Sequence, residues 1–464
     1  MYAAIAIAVI CNGHIEAGMV RWGGAVEQEE AFGLYRYRWV VLGAFMLVGA
    51  LTQLMWLNYA AITTSTAQLT GVAKLMGVTE SKVTLLALMF PLLYIPVSIP
   101  AGIIIDRKGF RYAVLLGAIL TAGFSFLRLF TGNYVLVLLG MIGIAIGQPF
   151  VLNSITKMTS AWFPTEESAT ATGIATLSLF LGMIVALALT PALLKAFGDS
   201  LAGLRWLVLA YSIAAALGAV AFGLFARAKP PKPPVRTETE LQGEDASINW
   251  ASLRTIFGQY DFKLLCAIIF IGNGAFVGIL QLIDQILKPK HPTINQSTSG
   301  LIGAVMVIAG VVGCVVIPAL SDKVMKRKPF LILAAAVAIP TLFLIAQLNN
   351  VTQIFIISAV TGFFIFSAFP LVLTFAEETT GHALTGTATA ILLLLGNLGG
   401  VVLTLVMEAM KPLTGGGRVF YWSMIFLVIL FGVALVIALF LRENKDLPCE
   451  LTVARDIDSN VVEE

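Results

Sequence analysis

The sequence predicts an all-α membrane protein of twelve transmembrane helices, arranged as two pseudo-symmetric six-helix bundles. Three observations predict it. Of 464 residues, 58% are hydrophobic and only 12% are charged, about half the charged share of an ordinary soluble domain. So much apolar surface needs lipid as its solvent. A membrane-spanning helix takes roughly 20 apolar residues, which leaves room for about twelve with short loops. Finally, one long polar stretch splits the chain, and the second half repeats a charged turn of the first.

The chain in order gives the elements. Residues 1–35 form an N-terminal tail. Met1 to Cys11 is apolar but lacks a basic start and a clear cleavage site, so it does not read as a signal peptide. The N-terminal bundle covers 36–227, with helices expected at 39–66, 83–105, 112–130, 134–157, 168–195 and 204–227. Residues 228–260 form a linker. It opens with Ala228-Lys-Pro-Pro-Lys-Pro-Pro, semi-rigid by its prolines, and ends in a short interfacial helix near Trp250–Tyr260. The C-terminal bundle covers 261–442, with helices at 262–287, 299–320, 329–348, 351–374, 384–410 and 419–441, and residues 443–464 form a tail. All twelve are apolar nearly all round, as bundle helices in lipid must be.

Charge sets the orientation. With both termini inside, 20 of the 29 Lys and Arg residues fall on the cytoplasmic face and 9 on the other. That bias is the positive-inside pattern. It supports twelve helices with both ends in the cytoplasm; the expected location of this multi-pass chain is the plasma membrane.

Composition also excludes classes. A net charge of +3 carried on loops does not suit nucleic acid. Cys11, Cys266, Cys314 and Cys449 are scattered, and His14, His291 and His382 lie apart in loops. No metal site, disulfide framework, cofactor or catalytic cluster is expected. The expected partners are a small-molecule substrate and the lipid bilayer, and the expected state is a monomer.

The turn Gly102-Ile-Ile-Ile-Asp106-Arg107-Lys108-Gly109-Phe110-Arg111 lies between the second and third apolar runs. Gly102 permits close helix approach, Asp106 can cap or pair, and Gly109 permits a sharp turn. Arg107, Lys108 and Arg111 hold the turn inside. The second half carries a degenerate copy, Gly313 to Asp322-Lys323 and then Lys326-Arg327-Lys328. This pattern resembles the signature loop of the major facilitator superfamily of secondary transporters. The resemblance implies the major facilitator fold, with two halves that rock about a central cavity. It also implies a latch in which Asp106, Arg107 and Arg111 hold the halves together on the cytoplasmic side.

A transporter's site is built from polar and aromatic side chains near the midplane, between the halves. On helix one, Gln53, Trp56, Tyr59 and Thr63 recur at helical spacing and crowd one side. Trp56 offers a ring face to a cation, or simply packs. Helix two carries Pro91, Pro96 and Pro100 around Tyr94, which suits a bent gating helix. Gln148 follows Gly143 and Gly147 on helix four, at a depth where an unpaired amide is costly. Asn273 and Gln281 lie on helix seven and Asn397 on helix eleven, within Gly396-Asn397-Leu398-Gly399-Gly400. Asp284 and Glu408 fall near outer helix ends. They read first as wet surface charges and second as gates or proton carriers. Phe363, Phe364, Phe366 and Phe369 read as core packing. No charged residue is expected at the centre of a helix, and Arg128 is placed near enough to an outer end to snorkel. That favours a neutral or cationic substrate, or movement down a gradient.

A closer resemblance appears in three places. Trp56-Leu-Asn-Tyr59 resembles the Trp-x-x-Tyr of the feline-leukaemia-virus-receptor (FLVCR) transporters. Gly147-Gln148-Pro149-Phe150-Val151-Leu152, then Ser160-Ala161-Trp162-Phe163, is similar to that family's fourth helix, and Asn397 falls where it has a glutamine. The family moves choline or related amines and has been linked to haem. The resemblance implies an aromatic site with Trp56, Gln148 and Asn397. The chain departs at helix seven, where Val277 stands in place of a tyrosine, so Phe276 must substitute. A second resemblance competes. Trp162-Phe163-Pro164 with Ala171-Thr172-Gly173-Ile174 is similar to the oxalate/formate and monocarboxylate branch, which buries basic residues for its anions. A non-transporting receptor or sensor is the reading from another class; short tails without a signalling domain count against it.

Overall fold

The computed structural model describes residues 36–64, 70–230, 250–287, 294–324, 326–348, 350–381, 384–411 and 420–442. The N-terminal tail before Arg36, most of the linker, the C-terminal tail, His14, His291 and His382 lie outside the described residues. Twelve helices among those described are long and apolar enough to cross a membrane. The first half holds α1 (Tyr37–Leu57), α2 (Glu80–Lys108), α3 (Phe110–Leu127), α4 (Tyr134–Leu152), α5 (Thr165–Ala196) and α6 (Leu201–Phe225). The second half holds α7 (Tyr260–Leu287), α8 (Gln296–Val324), α9 (Lys328–Gln347), α10 (Val351–Thr380), α11 (Thr385–Ala409) and α12 (Tyr421–Phe440). Short helices cover Val72–Leu75, Ile155–Trp162 and Trp250–Gly258.

Two helices differ from expectation. Helix one ends at Leu57, not near 66, and a 3-10 turn follows at Ala60–Ile62. Side chains there compete with the helix ladder. Asn58 Oδ1 accepts the Tyr59 N–H at 2.9 Å, and the Thr63 hydroxyl donates to the Tyr59 carbonyl at 3.0 Å. Helix four breaks after Leu152 and resumes at Ile155. At the break, Asn153 accepts from the Tyr94 hydroxyl at 2.7 Å and donates to Ser98 Oγ at 2.9 Å.

Glycines set the tightest helix crossings within each half. A Cβ on Gly147 would lie 2.7 Å from the Gly117 carbonyl oxygen, so α3 and α4 meet backbone to backbone. In the second half a Cβ on Gly274 would lie 2.6 Å from the Gly399 backbone, which joins α7 to α11. The Gly396–Gly400 run therefore serves a neighbouring helix.

We call the end bearing Asp106 and Asp322 proximal and the other end distal. The halves are joined distally. A Cβ on Gly303 of α8 would sit 3.2 Å from Leu187 of α5, and α2 packs on α11. At mid-depth Phe180 of α5 meets Phe366 of α10 edge to face, with centroids 4.9 Å apart. Proximally, by contrast, a Cβ on Gly102 would meet nothing within 4 Å.

Candidate functional site

Two places stand out: a distal gate that ties the halves together and a recess at mid-depth. The gate is built where α1 stops early. Thr64, just past the 3-10 turn, donates to Asp284 Oδ2 from both its N–H and its hydroxyl, each at 2.8 Å. Gln296 donates to the Thr64 carbonyl. Beside it, Glu408 of α11 accepts from Ser81 and Thr84 of α2, each at 2.9 Å, and pairs with Lys411 at 2.8 Å. Gln285 donates to Thr84 Oγ1 at 2.8 Å and accepts from Lys411. Asp284 is 1% exposed. Asp284 and Glu408 are thus taken out of water and bonded to the other half, which corrects the reading of them as wet surface charges. The signal lay in their pairing with polar residues on the other half, invisible at sequence separations of 220 and above.

Arg128 is a second correction. It does not snorkel: its side chain is wholly buried. The guanidinium lies 4.6 Å from the Tyr59 ring centroid, Nε reaches Tyr59 Oη at 3.4 Å, and Nη1 reaches Met55 Sδ at 3.0 Å. Its Nη2 has no hydrogen-bond partner among the described residues. The α4 backbone at Gly140 packs on its stem, since a Cβ there would meet Arg128 Cγ at 2.7 Å. One face of Tyr59 is therefore taken by an arginine.

The recess lies between α7 and α10. Its cavity volume is only about 10 Å³, room for about one water, and it is lined by Asn273, Phe276, Phe366 and Phe369 with Ile268, Ile269, Gly272, Ile365, Ala368 and Val372. Phe276 stacks on Phe366 at 4.4 Å, and Phe369 stacks on Phe366 at 6.2 Å. Phe366 and Phe369, read from sequence as core packing, form its wall. Asn273 lies against Gly396, whose Cβ would be 2.9 Å from its Nδ2.

The expected site residues divide. Asn273 and Phe276 come together in the recess, and Asn397 is one residue beyond Gly396, its Nδ2 donating to the Leu393 carbonyl at 2.9 Å. Trp56 is turned to α2: its indole donates to the Ala87 carbonyl at 3.0 Å, and it stacks on Phe90. Gln148 is buried on α4. Gln281 lies deeper toward the gate, 1% exposed, with neither amide atom hydrogen-bonded among the described residues.

At the proximal end Gly109 takes φ +81°, the left-handed conformation that the turn requires. Asp106 pairs with Lys157 at 3.4 Å, while Arg111 donates to the Gly223 carbonyl at 3.1 Å. In the second-half copy, Arg327 pairs with Asp322 and, at 2.9 Å, with Glu378. Burial alone would lower the Arg327 pKa, but its bonds to Asp322 and Glu378 outweigh this and raise it above the ordinary arginine value.

Two six-helix halves, joined at one end over a recess at mid-depth, define the class: a secondary transporter of the membrane. The pattern of the Major Facilitator Superfamily matches residues 44–404. The chain belongs to that superfamily. It is 26% identical to the uncharacterized MFS-type transporter C09D4.1 of Caenorhabditis elegans, over 81% of this chain and 64% of that protein. It is 25% identical to the choline/ethanolamine transporter flvcr2a of Danio rerio, over 80% of each chain. It is also 25% identical to solute carrier family 49 member A3 of Xenopus tropicalis, over 90% of each. Among solved structures, a bacterial homolog of the human lysosomal transporter Spinster, inward-facing and unoccupied, aligns with a TM-score of 0.69 at 18% identity. That alignment covers 87% of this chain and 96% of that one and supports the fold alone.

Proposed function

We propose that this protein moves a small organic ammonium compound, of the choline and ethanolamine class, across the plasma membrane by alternating access. The observation that carries the proposal is the stack of Phe276, Phe366 and Phe369 beside the Asn273 amide, at the depth where the halves meet. Ring faces attract a cation that has shed water, and an amide orients a hydroxyl or amine. The FLVCR-type relatives support the same substrate class. Trp56, Gln148 and Asn397 would join the site as the halves move. With both termini in the cytoplasm, distal closure is the inward-facing arrangement. The Asp106 turn, with Lys157, Arg107 and Arg111, would latch the proximal end in the opposite one, and Gly102 would then meet its neighbour. The chain would work as a monomer.

Counterflow of labelled choline into vesicles tests this. Uptake should exceed that of empty vesicles at least tenfold and fall in Phe276→Ala. Absence of counterflow with choline and ethanolamine sinks the ammonium reading. The buried Arg128 favours a second reading, an organic anion. Counterflow of a monocarboxylate that is lost in Arg128→Gln would select it.

A further inference from the structure

We infer that the proximal end of α6 is a binding site for an anionic phospholipid, whose phosphate headgroup is held by Arg227, Lys229 and Arg36. The inference is independent of the substrate. Contacts gather these basic residues at one corner. The Arg227 guanidinium lies 4.9 Å from the Tyr37 ring centroid, and the Tyr37 hydroxyl donates to the Phe225 carbonyl at 2.7 Å. The Trp162 indole donates to the Arg227 carbonyl at 3.1 Å, which pins the chain just past the end of α6. Arg36 precedes Tyr37, and Lys229 lies two residues past Arg227. All three are exposed, and none pairs with an acidic side chain among the described residues. The neighbouring arginines are already engaged: Arg38 pairs with Glu167 at 2.9 Å, and Arg111 donates to the Gly223 carbonyl.

The second half repeats this corner with the opposite sign beside the tyrosine. The Arg442 guanidinium lies 5.0 Å from the Tyr260 ring, and Lys328 donates to the Leu439 carbonyl of α12 at 2.8 Å. There the residue after the tyrosine is Asp261, whose carboxylate accepts the Arg442 N–H at 2.9 Å. In the first half the residue after Tyr37 is Arg38. One corner thus carries its own acid, and the other leaves the negative charge to a partner. The surface beside it says what kind of partner. Leu217, Val220 and Leu224 of α6 are exposed and recur at helical spacing toward Arg227. Trp39 is exposed at the same end of α1, as aromatic residues are where they meet lipid headgroups. An apolar track that runs into a basic end matches an acyl chain and an anionic head in one molecule. On the orientation proposed above, this corner faces the leaflet that holds anionic lipid.

Quenching of Trp39 fluorescence by brominated lipid tests this. Brominated phosphatidylserine or brominated phosphatidylcholine is diluted into nanodiscs of unbrominated phosphatidylcholine, and the Trp39→Phe protein supplies the signal of the other tryptophans for subtraction. Both leaflets then carry the same lipids, so the result does not depend on orientation. Brominated phosphatidylserine should half-quench Trp39 at a mole fraction about tenfold or more below that of the choline lipid. Arg227→Gln and Lys229→Gln should each raise the fraction needed of the serine lipid about fivefold. Arg442→Gln, at the second-half corner, should leave it unchanged. Equal quenching by the two lipids in the unmodified protein overturns the inference, and so does a preference that survives both substitutions. Loss of the preference to added inorganic phosphate at constant ionic strength overturns it too, because the corner would then hold a soluble anion. Where Arg227→Gln lowers the melting temperature through its lost contact with Tyr37, Lys229→Gln decides.

Discussion

Thr64→Val should loosen the distal gate. The substitution removes the hydroxyl that donates to Asp284 at 2.8 Å and keeps the backbone N–H that donates to the same oxygen. It is close in shape, so packing changes little. A hydrogen bond to a charged group contributes about 1.5–3 kcal/mol. The bond exists only while the halves are joined distally, so its loss falls on that state alone. The closed-distal population should drop about ten- to hundredfold against the open-distal one. Thr84→Ala removes a second group, which bonds both Glu408 and Gln285. The assay is the distance between spin labels at Lys82 on α2 and Thr352 on α10, both exposed near distal helix ends, with the four native cysteines replaced. Thr64→Val should shift part of the distribution to longer distances, and the double variant should shift more. If the double variant keeps the unmodified distribution, these bonds do not hold the gate and the reasoning fails.

Four further outcomes are expected. Arg128→Lys should lower the melting temperature more than Arg128→Met, because it keeps a buried charge while losing the flat contact with Tyr59; thermal unfolding in detergent compares them, and the reverse order would contradict this. Gly147→Ala should destabilise by about 1–3 kcal/mol, since its Cβ would strike the Gly117 carbonyl. Gly102→Ala should leave the melting temperature unchanged, because its Cβ meets open space here, yet slow transport if α2 gains a neighbour in the other state. Asp106→Asn should slow cycling with ligand affinity retained: its exposed pair with Lys157 contributes little to stability, so transport at the unmodified rate would remove Asp106 from the latch.

Much of the fold was legible in the sequence because insertion into lipid is a local property. About 20 consecutive apolar residues make a span wherever they fall, and Gly109 bends the chain whatever surrounds it. The twelve spans, the two halves and the matched turns at Asp106 and Asp322 all follow from such segments. Less of the candidate site was legible. Asn273 and Phe276 stood out as polar and aromatic residues at depth, but Phe366 and Phe369 looked like any other phenylalanines in a hydrophobic helix.

What the sequence by itself determined is therefore where the chain crosses the membrane and where it turns. Only the tertiary structure decided which side chains meet. Thr64 and Asp284 are 220 residues apart, and Arg128 is 69 from Tyr59. Each pairing depends on the rotation and register of packed helices, set by backbone approaches such as Gly147 on Gly117 and Gly274 on Gly399. Helices that are apolar all round carry no stripe to announce that rotation. A buried carboxylate or guanidinium then reveals its role only by the partner that packing brings to it.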